Sequence, residues 1–192
     1  MLYDFAMHTS TLDSSGTGGS IPVTHETHVI ERIRRNHALE HATLHMLAQR
    51  IENLRGGGYA APTGYYVFGN ADLENIAWAA NEAIRRMNEG ESRLAVHPGC
   101  GTNLATTGVL TGILSFVGAN LFRKARWNER LTFAVLGAMI GGFLAYPLGP
   151  WMQANVTTSA NMHGMSIKAI KRTQFMNMLG NCRSRYSASV GN

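Results

Sequence analysis

"LATTGVLTGILSFVGANLF", residues 104–122, and "LTFAVLGAMIGGFLAYPLGPWM", residues 131–152, decide how this chain folds. Neither run holds an acidic or basic side chain, and they are 19 and 22 residues long. A helix needs about 20 apolar residues to span the hydrocarbon core of a bilayer. Only eight residues separate the runs, so they are expected to form an antiparallel helical hairpin. Gly108 with Gly112, and Gly137 with Gly141, are small-residue spacings that let helices approach closely. Trp127 and Trp151 stand near the ends, where interfacial tryptophans belong. Thr102, Asn103, Thr106 and Thr107 leave a buried hairpin of a soluble protein as the alternative. The expectation is a membrane hairpin.

The rest of the composition fits that frame. Charged residues are only 15% of the 192, and charge-free stretches run from 97 to 122 and from 131 to 167. The formal charge of +5 would permit nucleic-acid binding. However, the basic residues gather beside the apolar runs, in "RKARWNER" and "IKAIKRTQF", and not in a continuous patch interleaved with aromatics. The expected partner is therefore a lipid bilayer, with other membrane subunits or further copies of the chain, and no nucleic acid. Cys100 and Cys182 are too few for a disulfide framework. The start, "MLYDFAMHTSTLDSSG", lacks the pattern of a signal peptide, so insertion is expected to use the internal apolar segments. Basic residues lie on both sides of the hairpin. The expected location is a bacterial inner membrane with the soluble part on the cytoplasmic face.

Outward from the hairpin, residues 1–24 read as a flexible arm rich in Ser, Thr and Gly. Residues 25–100 read as a helical, α+β metal-site domain, 101–153 as the hairpin, and 154–192 as a strand and basic tail returning to that domain. Val29 and Ile33, then Leu44, Leu47 and Ile51, recur at three- and four-residue steps with Leu39 or Ala38 between them, which predicts a helix. Thr27 is its candidate cap, and "RGGG" at 55–58 its stop. "YAAPTGYYVFG" predicts one or two short strands with a turn at 62–64. "NADLENIAWAANEAIRRMNEG" predicts a second helix, capped by Asn70 or Asp72 and stopped by Gly90. "SRLAVHPGC" reads as a short extended piece leading into the hairpin.

The chemistry concentrates in "RNHALEHATLH", residues 35–45. His37 and His41 are four apart, so their imidazoles share one helical face and can share a metal. Glu40 emerges beside the second histidine, where it could take a proton from water, as in the inverzincin arrangement. His45 is about 12 Å from His37 along the axis, too far for one ion to hold all three histidines. At least one more ligand is needed. "HPGCGTN", 97–103, offers His97 and Cys100, with glycines that let the backbone turn around an ion. His163 is a distant further candidate. With eight histidines in the chain, a chance H-x-x-E-H occurs on the order of one time in a hundred. A structural metal site would use the same residues.

"NHALEHATLH", followed some fifty residues later by "HPGCGTN" at the head of an apolar helix, resembles a group of uncharacterised bacterial membrane proteins described as predicted metal-dependent enzymes. Their segments read H-x-A-E-H and H-P-x-C-G-T-[NS], and the likeness covers about residues 30 to 175. The resemblance implies His37, Glu40, His41, His97 and Cys100 as the functional positions. It implies no substrate.

The reading is thus a small α+β domain joined to a two-helix membrane hairpin. The expected function is a membrane-bound zinc-dependent hydrolase, a peptidase by preference. Metal would sit on His37, His41 and one or both of His97 and Cys100, with Glu40 as base. The alternative is a non-catalytic accessory or assembly subunit of a membrane complex, with a structural metal or cofactor on the same histidines.

Overall fold

The computed structural model describes residues 25–121, 124–172 and 184–191. The arm expected at 1–24 lies outside the described residues.

Helix α1, His25–Arg50, carries the histidine motif through the middle of the protein. Its central residues, Ala38 to Leu44, are all buried, including Glu40, His41 and Thr43. A helix buried all round must be covered on several sides. Here a second helix, a β-hairpin and the turn at 92–95 do the covering. Thr27 lies inside α1 and does not cap it. The helix also stops earlier than "RGGG" suggested: Ile51 makes a last bond to Leu47, and Asn53 turns the chain with φ 57°. Asparagine tolerates that left-handed conformation. The glycines then open strand β1, Gly56–Ala61, which turns through Pro62-Thr63 into β2, Gly64–Gly69.

Helix α2, Leu73–Asn88, starts at Asp72, whose side chain accepts the Asn75 N–H at 2.8 Å. Gly90, at φ 101°, follows its end. Ile76, Ala79, Ala80, Ala83 and Met87 face inward, and the three alanines let α1 and α2 lie close. The segment read as extended instead makes a single 3-10 turn, Ser92–Ala95.

The chain returns after the hairpin as β3, Ser166–Arg172, and β4, Ser184–Gly191. Together the four strands form an antiparallel sheet in the order β1-β2-β4-β3, so the tail completes the sheet begun near residue 56. Tyr65, Val67 and Ala188 from the sheet join Leu39, Leu47, Ile76 and Met87 from the helices in one core. Tyr65 reaches Thr43 across it at 2.9 Å.

Helices α3, Gly101–Leu121, and α4, Trp127–Met152, pack along each other, and a wider turn, Gln153–Thr157, ends the second. Both are long and apolar enough to cross a membrane. Leu104, Phe116, Phe143 and Tyr146 are each more than 70% exposed. Gly118, Gly137 and Gly141 meet the backbone of the opposite helix where a side chain would be. Gly108 and Gly112, expected to do the same, have nothing within 4 Å of a Cβ position. The seam on α3 runs through Leu110, Leu114 and Gly118. Gly108 and Gly112 are two residues out of phase with it, about 200° around a helix.

Arg34 ties the two parts together. Its guanidinium donates to the carbonyls of Asn155 (3.2 Å) and Thr158 (3.0 Å), and it pairs with Glu31 at 3.0 Å. The motif on α1 is thereby held at the end of the hairpin where α3 begins and α4 finishes.

Candidate metal centre

His37 and His41 project from successive turns of α1 with ring centroids 4.4 Å apart. Each ring is anchored through Nδ1. His37 Nδ1 donates to the Thr157 carbonyl at 3.0 Å, and His41 Nδ1 to the Ala95 carbonyl at 2.7 Å. A carbonyl only accepts, so Nδ1 carries a proton on both rings, and in the neutral form each Nε2 keeps its lone pair. This second hydrogen bond is what fixes ligand orientation in metal sites.

Cys100 comes to the same place from the loop before α3. Its Sγ lies 3.4 Å from His37 Nε2, and the Thr102 N–H points at the sulfur from 3.4 Å. The ligand atoms of His37, His41 and Cys100 all fall within 4.8 Å of one another. A tetrahedral zinc with Zn–S of about 2.3 Å and Zn–N of about 2.0 Å puts sulfur and nitrogen about 3.5 Å apart. The Cys100–His37 separation already matches that edge. The residues present therefore fit a divalent ion with one nitrogen-rich, one sulfur side.

The electrostatics suit the same set. Burial works against a charged His37, but its contacts with Cys100, the Thr157 carbonyl and Glu40 outweigh this and raise it above the ordinary histidine value. Burial pushes the Cys100 thiol up, yet hydrogen bonds with His37, His41 and Thr102 bring it down to about 5. The thiolate is the form that ligates metal.

Glu40 stands beside the three candidate ligands and is not one of the close set. It is 4% exposed. Burial pushes its carboxyl up to about 7, against the pull of His41 and His37. An added positive charge nearby would favour the ionised form. Its carboxyl lies against β1: a Cβ on Gly58 would fall 2.8 Å from Glu40 Cγ and Oε1. Only glycine leaves that room.

His97 takes a different position from Cys100. Its Nδ1 accepts the Gly99 N–H at 3.1 Å, so in the neutral ring Nε2 carries the proton. Burial, with His45 and His41 nearby, holds it at about 4, which keeps it neutral. Its ring is 5.6 Å from His41 and 5.0 Å from His45. The turn at Pro98-Gly99 folds the imidazole back on its own backbone while delivering Cys100 to the histidine pair. His45 donates Nε2–H to the Val96 carbonyl at 2.9 Å, an outer role. His163 is exposed on the loop before β3, where its carbonyl accepts from Arg35.

Of the groups that hold this loop, only Asn103 stands in a motif of the sequence, at the end of "HPGCGTN". Gln153 is fully buried; it accepts the His97 N–H at 2.9 Å and donates to Asn103 Oδ1 at 2.6 Å. Asn103 in turn donates to the Pro98 carbonyl at 2.9 Å. Gly149 admits Asn103 between the helices. Thr157 and Ala95 act through their carbonyls, which any residue would supply.

The three candidate ligands and Glu40 line a cleft of about 540 Å³. The rest of its lining is Ile33, Leu44 and Phe68, the β1 residues from Gly56 to Ala60, and the loop from His97 to Thr102.

The family model "Domain of unknown function (DUF6391)" matches residues 32–170. That stretch holds His37, Glu40, His41, His97 and Cys100, and it nearly coincides with the extent of the likeness read from the motifs. An uncharacterised protein of Picosynechococcus sp. is 32% identical over 136 residues, 66% of this chain and 66% of that relative. The chain thus covers just under two thirds of the relative's length. Neither match carries an activity or a metal. No solved structure matches the chain.

Proposed function

The chain belongs to the DUF6391 family, and on that premise we propose that it is a membrane-bound, zinc-dependent hydrolase of the peptidase type. His37, His41 and Cys100 hold the metal, and Glu40 is the general base. One observation carries this reading: three ligand atoms converge within 4.8 Å beside a buried carboxylate and open onto a cleft. Structural zinc sites close with four protein ligands, whereas catalytic sites use three and leave a position open.

A bound zinc ion supplies Lewis acidity, polarising a carbonyl and making water acidic at neutral pH. The protein's own groups do the rest. Glu40 takes the proton from the attacking water and returns it to the leaving amine. The water oxygen bonds to the carbonyl carbon as the C–N bond breaks, giving one carboxylic acid and one amine. Ala95 and Thr157 hold the two imidazoles in the ligating tautomer. The Gln153–Asn103 pair keeps Cys100 in place. His97, neutral and beside His41, is a donor through Nε2–H on the same wall of the cleft.

The hairpin in this reading crosses the bilayer, with the site at the water boundary on the cytoplasmic side. The exposed apolar side chains of α3 and α4 support this, as do Trp127 and Trp151, 76% and 54% exposed.

Elemental analysis of the detergent-solubilised protein, beside His37→Ala/His41→Ala and Glu40→Gln, tests it. The expected result is about one zinc per chain, lost in the double variant and kept in Glu40→Gln. Peptidase turnover should fall about 10²–10⁴-fold in Glu40→Gln. Zinc without any Glu40-dependent turnover would leave the non-catalytic subunit. Protein purified without chelators and free of metal would end the hydrolase reading and leave a subunit whose histidines meet a cofactor or a partner.

A further inference from the structure

Strand β1 is an edge of the sheet, and among the described residues it pairs only with β2. The phase of its ladder follows from one bond at its start: the Asn70 N–H donates to the Arg55 carbonyl at 3.1 Å. Antiparallel strands alternate bonded and non-bonded pairs. Gly57, Tyr59 and Ala61 therefore turn their polar groups to β2, whereas Gly56, Gly58 and Ala60 turn theirs away from the sheet. Gly56, Gly58 and Ala60 are among the residues that line the cleft with His37, His41, Cys100 and Glu40.

Edge strands are normally blunted by charges, proline or a bulge. "GGGYAA" has no charge and no proline, its pairing with β2 is unbroken, and its first three residues have no side chains. Gly58 combines two features: its N–H and C=O point outward, while Glu40 occupies the space of its missing Cβ. A chain laid along this edge passes directly by the base.

We infer that the outer edge of β1, unpaired among the described residues, binds the substrate as an added strand, so that the site acts on polypeptide in extended conformation. This rests on the hydrolase reading and specifies its substrate class. Main-chain bonds to Gly56, Gly58 and Ala60 hold the segment. Ile33, Leu44 and Phe68 receive an apolar side chain next to the bond that is cut. Gly56 and Ala60 are four strand residues apart, about 13 Å, so the substrate needs at least about five extended residues. Folded segments and dipeptides are excluded.

The test uses full-length Glu40→Gln protein, zinc-loaded in detergent. The probe is a library of peptides, each about ten residues long, with Leu or Phe fixed at the centre. Amide hydrogen exchange is read residue by residue. The expected result is exchange slowed about tenfold at Gly56, Gly58 and Ala60, with Gly57 and Tyr59 unchanged. A backbone N-methylated library should give no protection. Ala60→Pro, which deletes an outward N–H without touching the β2 ladder, should abolish it at Gly58 while zinc stays bound. Cleavage of the unmodified library by wild type without this alternating protection would overturn the edge and keep the hydrolase. Protection without wild-type cleavage would keep the edge as a docking site and remove the hydrolase. Uniform protection along 56–60, or none, would overturn the inference.

Discussion

Replacing Gln153 with leucine isolates the part of the site that lies furthest from the ligands. Gln153 is fully buried and makes two side-chain bonds, to the His97 N–H at 2.9 Å and to Asn103 Oδ1 at 2.6 Å. Leucine fills a similar volume and satisfies neither. Each orphaned group costs about 1–3 kcal/mol, and because His97 and Asn103 are only half-buried the lower end applies, about 2–3 kcal/mol together. For a chain of this size that lowers the melting temperature by about 5–10 °C. The loop from 97 to 102 then loses its anchor, and Cys100 with it. Loss of such an outer contact weakens metal binding about 10–100-fold. The melting temperature is measured in detergent with chelator present, so that metal plays no part, and zinc affinity by chelator competition. Asn155→Ala, in the same turn but exposed, is the control and should change neither. If Gln153→Leu shifts the melting point by less than about 1 °C and the zinc Kd by less than about twofold, the Gln153–Asn103 pair does not position Cys100.

Cys100→Ser should weaken zinc binding by about 100-fold or more, because an alcohol does not ionise at neutral pH, and should remove most of the melting-point rise that zinc confers on the wild type. Gly58→Ala puts a methyl 2.5 Å from the Tyr66 carbonyl oxygen and 2.8 Å from Glu40 Oε1; zinc stoichiometry should be unchanged while peptidase turnover falls about 10²-fold, from displacement of the base together with a shift of β1 against β2. In the hairpin, Gly141→Leu drives a side chain into the Leu110–Thr111 backbone, whereas Gly112→Leu meets nothing. Thermal unfolding in detergent should show a loss of about 1–3 kcal/mol for the first and little change for the second. Equal effects would contradict the rotation of α3.

Much of this architecture was legible along the chain. Runs without charge give the two long helices, since length and composition are local properties. The Asp72 cap and the Gly90 stop were readable because a cap needs only neighbours three residues away. His37, Glu40 and His41 were legible because helical geometry alone puts them on one face. Helix rotation was not: which glycines of α3 face α4 depends on how two cylinders settle, and the spacing of Gly108 and Gly112 recurs on any face. "RGGG" looked like a stop because glycine is poor in helices. Its role in β1 comes from other elements: Gly56 and Gly57 lie against Phe68, and Gly58 leaves room for Glu40.

The sequence by itself determined the inventory of the site, two histidines and a carboxylate at helical spacing with a cysteine at the head of an apolar helix. It did so because side-chain chemistry and the 3.6-residue period need no long-range information. Tertiary structure decided which members meet. Cys100 and His97 are three residues apart and equally able to ligate, yet only the sulfur reaches His37. The difference is made by a carbonyl at Ala95, another at Thr157 and an amide at Gln153, groups up to 120 residues away from the histidine they serve. A ligand's direction is set by the atom behind it, and that atom is supplied by the fold.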